Sequence, residues 1–111
     1  MSRSHGTLVW GSDSELLRYE KAKADGSLVA WVSGTVTVKD RAGTAYVTAA
    51  EATPTSDSKQ LTWRPEYGSG ADQIPSPPDG IGLLLRVQWH GVSVDGHHYA
   101  LEAELIVLPQ L

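Results

Sequence analysis

The C-terminal third of the chain alternates apolar and polar residues in two runs. Every second residue is apolar from Ile81 to Trp89, and again from Tyr99 to Val107. Because successive side chains of a strand point to opposite faces, both runs are predicted strands with one buried face. Between them, Val94-Asp95-Gly96 has the composition of a three-residue hairpin loop, with glycine where the backbone must be left-handed. This hairpin constrains the fold more than any other feature.

The length of the loop decides which residues of the hairpin face each other. A three-residue loop pairs Ser93 with His97 and Trp89 with Leu101, so that inward residues meet inward residues. A two-residue loop would place Trp89 opposite Glu102, because a slip of one residue moves every side chain to the other face. The three-residue register is therefore predicted.

The same register defines the outward face of the hairpin. Arg86 lies opposite Glu104, which predicts a cross-strand ion pair. Further along, Leu84 lies opposite Ile106, and Leu108 follows on the same side. Apolar residues at the end of an otherwise solvent-exposed face indicate either an interaction patch, which we favour, or a second surface that is covered within the domain.

Shorter strand-like runs separated by turn residues fill the rest of the chain. They occupy residues 7–10, 16–22, 28–32, 35–39, 44–48 and 60–64. Turn signals lie at Asp25-Gly26 and at Asp40-Arg41-Ala42-Gly43. With the long hairpin, this spacing predicts an all-β fold of about seven antiparallel strands, a sandwich or barrel, in a single domain over residues 1–111.

Two segments leave room for one short helix. The residues Ser12-Asp13-Ser14-Glu15 are suited to capping a helix that runs through Ala24, and the alanine-rich stretch 48–53 is compatible with one helical turn. The N-terminal segment 1–6 carries no strand pattern and is predicted to be flexible.

A proline-rich segment precedes the final hairpin. Four of the six prolines lie between residues 64 and 80, which predicts a long loop over residues 65–80 rather than a central strand. Within it, Ile74, Pro75, Pro77 and Pro78 favour an extended backbone that is already ordered before it meets a partner. These four residues are therefore candidates for interaction, and a plain crossover between two sheets is the alternative.

Composition excludes several classes of function. The formal charge is −4 and the nine Lys and Arg residues are scattered, which disfavours nucleic-acid binding because phosphate neutralisation needs clustered bases. The chain has no cysteine, hence no disulfide, thiolate zinc site or cysteine nucleophile. No run approaches the roughly 20 apolar residues of a membrane span, and no apolar segment follows the first residues. We therefore expect neither a membrane anchor nor a signal peptide, and folding in the cytoplasm.

No group of residues forms a convincing catalytic or metal site in the sequence. The run 91–96 comes close to a nucleophile elbow, but a strand follows it where that motif needs a helix. Ser93 with Asp95 and either His97 or His98 is therefore interpreted as a polar hairpin tip. His90 and His98 share the outward face and are spaced to bridge a zinc ion, yet no third ligand is evident. We assign no catalytic residue, cofactor or metal, and do not expect an enzyme.

The tryptophans carry much of the aromatic content, since the chain has no phenylalanine. Trp89 and Trp63 lie on apolar faces of their strands and are predicted core residues. Trp10 and Trp31 lie near strand ends; if exposed, they and Tyr67 would offer stacking surfaces for a sugar.

The order of these signals resembles the small immunoglobulin-like domains of tailed-phage virion proteins. The residues that carry it are Leu16-Leu17-Arg18-Tyr19, the run 35–40, Leu61-Thr62-Trp63 and the hairpin around Val94-Asp95-Gly96. The resemblance implies an immunoglobulin-like β-sandwich with a structural role in a virion, as a head-decoration, head–tail or tail and baseplate protein. It also implies contacts with other virion proteins and with copies of itself, and no catalytic residues.

Two further functions stay open at this point. One is a carbohydrate-binding module that uses Trp10, Trp31 or Tyr67. The other is a small acidic inhibitor that mimics a nucleic acid, against which the even spread of acidic residues argues.

Overall fold

The computed structural model describes residues 3–12, 16–78 and 81–109. Within these ranges the chain forms seven strands and no α-helix. The strands are β1 (Arg3–Val9), β2 (Leu17–Tyr19), β3 (Trp31–Asp40), β4 (Ala45–Pro54), β5 (Leu61–Trp63), β6 (Leu83–Ser93) and β7 (His98–Leu108). Neighbouring strands follow the order β1-β7-β6-β3-β4-β5-β2. The prediction of an all-β fold with about seven strands is confirmed.

Neither of the segments considered for a helix forms one in the part of the chain that is described. Residues 17–19 are strand β2, and residues 13–15 of the proposed helix start lie outside the described ranges. Residues 48–53 belong to β4. The alanines of this stretch are compatible with a strand here because β4 pairs with β3 on one side, and tertiary pairing overrides weak local propensity.

The β6–β7 hairpin has the register that the three-residue loop predicts. Trp89 pairs with Leu101 along the ladder. At the tip, the Ser93 amide donates to the His97 carbonyl at 2.9 Å, and the Gly96 amide donates to the Ser93 carbonyl at 2.9 Å. Gly96 has a φ of 84°, a left-handed conformation that costs glycine little. The loop therefore fixes which residues of both strands face inward.

Strand β1 differs from the sequence-based expectation in two ways. It pairs with β7 in parallel, so the sheet is mixed rather than wholly antiparallel. In addition, residues 3–6, which we expected to be flexible, are part of this strand, and Ser4 is paired with Glu104. The edge of β7 explains the second difference, because its backbone groups gain hydrogen bonds when the N-terminal segment lies alongside.

The sheet folds over on itself through strand β4. Most of β4 pairs with β3, but its last residues Thr53 and Pro54 pair with β5, which in turn pairs with β2. This places β2 and β5 over the inner face of β3 and β6. The Tyr19 ring of β2 accordingly lies 5.3 Å from Trp31 and 5.9 Å from Trp89, measured between ring centroids. The result is two layers with an aromatic core between them.

Two glycines on the inner face let this second layer approach closely. A Cβ atom at Gly34 would lie 2.5 Å from Cδ1 of Leu61, and one at Gly91 would overlap the ring of Trp31. Leu61 and Trp31 are both buried, with 0% and 2% of their surface exposed. Leu61 of the second layer and the Trp31 ring of β3 thus pack directly against the backbone at Gly34 and Gly91.

The proline-rich segment is a loop in the structure, but it is packed against the domain. Ile74 is completely buried and belongs to the core, and its carbonyl accepts a hydrogen bond of 2.9 Å from Nε1 of Trp10. Pro77 is also buried, Pro75 is half-buried and Pro78 is exposed. Ile74 and Pro77 were predicted to contact a partner, and that prediction is wrong because their side chains already pack inside the domain.

Replacement of Gly91 by Ala should destabilise the domain. The added methyl group would overlap the buried Trp31 ring, and overpacking of a core typically costs about 1–3 kcal/mol in unfolding free energy. Urea unfolding of Gly91→Ala measures this. Gly82→Ala is the matched control, since a Cβ there meets its nearest atom, Cγ2 of Ile106, at an ordinary contact distance of 3.4 Å. Equal stability of the two variants would contradict the packing described.

The β3–β4 turn depends on the carboxylate of Asp40. Its Oδ1 accepts hydrogen bonds from the amides of Thr44 and Ala42, both at 2.9 Å, and its Oδ2 accepts one from the Tyr46 hydroxyl at 2.9 Å. The Thr44 amide, followed by the Tyr46 hydroxyl, holds the pKa of Asp40 below its ordinary value. Since the folded pKa is depressed, the stabilisation is present above the unfolded-state pKa and is lost as pH falls through the folded pKa.

Substitution Asp40→Asn should therefore change the acid sensitivity of the protein. The variant is expected to be less stable than the parent at pH 7, and this difference should shrink as the pH falls through the folded pKa of Asp40, where the carboxylate of the parent becomes protonated. Urea unfolding at several pH values measures the difference. A gap that stays constant across that range would show that the Asp40 charge does not stabilise the fold.

Candidate functional site

Two histidines lie side by side on the outer face of the β6–β7 hairpin. Alternation along β6 turns the Trp89 side chain inward and His90 outward, and the register pairs His90 with Ala100 and Val92 with His98. His90 and His98 are therefore diagonal neighbours, and both are exposed. Nε2 of His90 and Nδ1 of His98 are 3.2 Å apart, with the ring planes inclined by 35°. One ring nitrogen of each imidazole thus lies next to one ring nitrogen of the other.

This arrangement has two chemical uses, which depend on protonation. With a proton on one of the facing nitrogens, the rings share an N–H···N hydrogen bond. With both facing nitrogens deprotonated, each offers a lone pair, and neutral imidazole nitrogen is a common ligand of transition metals. Replacement of the shared proton by a metal ion keeps the two nitrogens adjacent and requires both rings to turn, so that each lone pair points at the ion.

The acidic neighbour of the pair is engaged elsewhere. Oε2 of Glu102 accepts a hydrogen bond of 2.9 Å from Nε2 of Gln88, and its Oε1 lies 3.8 Å from NH1 of Arg86. An ion pair of Arg86 with Glu104, its partner along the ladder, was predicted; the ion pair seen in the structure joins the long arginine side chain to the diagonal Glu102. Both carboxylate oxygens of Glu102 thus interact with Gln88 and Arg86 in this conformation.

The protomer presents two nitrogen ligands at this point rather than a closed set. Among the side chains that the structure describes, those of residues 6–12, 16–78 and 81–109, no three His, Asp or Glu groups lie close enough to hold one metal ion. His97 is exposed but pairs with the inward-facing Ser93, so it does not lie on the outer face beside His98.

The hairpin tip does not display a nucleophile. Ser93 is buried, with 4% of its surface exposed, and its Oγ accepts a hydrogen bond of 3.1 Å from the amide of His97. This hydroxyl therefore supports the turn, in agreement with its interpretation as a hairpin tip.

The predicted apolar patch lies at the other end of the same face. Leu84 pairs with Ile106, and Ile106 and Leu108 are 42% and 38% exposed. Val9 of β1 pairs with Leu108 and is 43% exposed, so it extends the patch. The three predicted residues are thus neighbours in space. That a partner covers them stays a prediction.

The aromatic side chains considered for sugar stacking do not form an open platform. Trp31 is buried in the core. Trp10 and Tyr67 are partly buried and pack edge to face, with ring centroids 5.7 Å apart. The Tyr67 hydroxyl donates to the Ser12 carbonyl at 3.0 Å, and Trp10 is held by its bond to the Ile74 carbonyl. These rings fasten the proline-rich loop to the domain.

Among the residues described, none belongs to a helix long and apolar enough to cross a membrane.

The fold defines a class, a two-layer all-β domain with a mixed sheet. No protein-family model and no curated protein matches the chain. Among solved structures, it is similar to the crystal structure of CopC from Methylosinus trichosporium OB3b, with a TM-score of 0.59 and 16% sequence identity. The match covers 100% of this chain and 88% of the CopC chain. At this level of identity the likeness shows the fold alone.

This finding corrects the function inferred from the sequence. A structural role in a tailed-phage virion was implied by a resemblance in turns and strand alternation, and that function is wrong: the whole chain superimposes on CopC, a fold match that carries no virion role. The predicted location in a virion depended on that function and is not supported either. The resemblance to phage immunoglobulin-like domains itself stays untested.

Proposed function

We propose that the chain binds a divalent transition-metal ion through Nε2 of His90 and Nδ1 of His98. The observation that supports this most strongly is their separation of 3.2 Å. With two metal–nitrogen bonds of about 2.05 Å, this separation gives an angle of roughly 103° at the ion. That value is close to the tetrahedral angle, so the pair already has the spacing of two ligands on one ion.

The ligand type and the angle together favour zinc. Imidazole nitrogens suit zinc, copper and nickel, whereas magnesium and calcium prefer oxygen ligands. Square-planar Cu(II) or Ni(II) would bring adjacent nitrogens closer together, to an angle of about 90° at the ion. The observed spacing of the two nitrogens fits the tetrahedral preference of zinc better.

The sheet holds both ligands in place before an ion arrives. His90 lies on β6, which is paired on both sides by β7 and β3, and His98 begins β7. Because the backbone at His90 is fixed by two ladders, only side-chain rotations are lost on binding, which keeps the entropic cost low. Both rings are exposed, so an ion reaches them without any opening of the fold.

Isothermal titration of the metal-free chain with zinc tests this proposal. We expect saturable binding by the parent chain, and no measurable binding by His90→Ala or His98→Ala, because one imidazole alone holds the ion weakly. His97→Ala is the matched control: it removes an exposed histidine next to His98 that does not lie on this face, and binding should be unchanged. Loss of binding in His97→Ala but not in His90→Ala would contradict the proposal.

A further inference from the structure

We propose that a second copy of this chain completes the zinc site, with the His90 and His98 pairs of two chains meeting across a two-fold axis. This inference rests on the proposed function and adds the partner. A zinc ion takes four ligands in a structural site, and the pair supplies two of them. The other two positions point away from the sheet, because both rings project from its outer face.

The surface around the pair suits the approach of a second sheet. On the outer face, His90 is flanked along the ladders by Thr35 of β3 and Ala100 of β7, both small. The His90 imidazole therefore extends beyond these two neighbours. Sheets that pack face to face lie about 10 Å apart. Coordination of His98 through Nδ1, the ring nitrogen nearer the backbone, holds the ion close to the sheet and keeps such a spacing within reach.

Apolar side chains border the pair on one side and would be covered in such a dimer. Val32 is 59% exposed, and it lines a shallow hollow together with His90 and Val92. The exposed Val32 and the half-buried Val92 gain from burial when a second face covers them, at roughly 25 cal/mol per Å² of apolar area removed from water. The hollow thus places apolar area where the second copy would lie.

Charge makes this association dependent on the ion. Each chain has a formal charge of −4, so two copies repel one another before metal binds. A dication held by four neutral imidazoles between the two faces offsets part of that repulsion at the point of contact. We therefore expect a monomer without metal and a dimer with zinc, rather than a dimer held by apolar contacts alone.

The experiment combines calorimetric stoichiometry with the mass in solution of the full chain, measured by light scattering with zinc and with EDTA. The proposal predicts one zinc ion per two chains, a doubling of mass on zinc addition, and return to monomer with EDTA. One zinc per chain with no change in mass would overturn the dimer and leave the proposed function intact. Absence of zinc binding would remove both. A dimer that persists in EDTA would also overturn the inference.

Two variants on the same face locate the contact. Ala100→Gln places a longer side chain beside His90, where it obstructs a second sheet, and should leave the chain monomeric in zinc. Ile106→Gln changes the exposed patch at the far end of the face and should still dimerise. If Ile106→Gln abolishes the dimer while Ala100→Gln forms it, the copies meet through the apolar patch, and the shared zinc site is wrong.

Discussion

At the tip of the last hairpin, the Ser93 amide bonds the His97 carbonyl across a three-residue turn, and this contact sets the register of the two longest strands. A slip of one residue would send the inner side chains to solvent and the outer ones into the core. The register therefore decides which side chains of the hairpin lie in the core and which lie on the outer face. It places Trp89 in the core, and it places His90 and His98 together on the outer face.

The inner face depends on close approach between two layers rather than on large side chains alone. Because Gly34 and Gly91 have no side chains, Leu61 of β5 and the Trp31 ring of β3 pack directly on the backbone of the inner face. The rings of Tyr19, Trp31 and Trp89 then pack together, which connects β2, β3 and β6. Because the chain has no phenylalanine, the aromatic core between its two layers consists of tryptophan and tyrosine side chains.

Strand alternation and turn residues predict most of this fold. The hairpin register and the burial of Trp89 follow from periodicity and loop length, both of which are local. The burial of Ile74 does not, because proline-rich composition predicts an extended backbone but not the Trp10 hydrogen bond that draws the segment inward. The parallel pairing of β1 with β7 is equally hidden, since it joins the two ends of the chain.

The sequence predicts that the two histidines of the candidate site share a face, but not that their ring nitrogens are in contact. Register alone places His90 and His98 on one face as diagonal neighbours, about 7–8 Å apart at their Cβ atoms, which by itself indicates neither contact nor separation. The side-chain rotamers close that gap to 3.2 Å between nitrogens, and rotamers are not readable from periodicity. The same limit applies to Arg86, whose side chain reaches the diagonal Glu102.

Anomalous diffraction at the zinc absorption edge, from crystals grown with zinc, tests directly whether the two histidines bind the ion. We expect one ordered zinc peak about 2.0–2.1 Å from both Nε2 of His90 and Nδ1 of His98. A peak at another site, with these two nitrogens still adjacent and no ion on them, would contradict it.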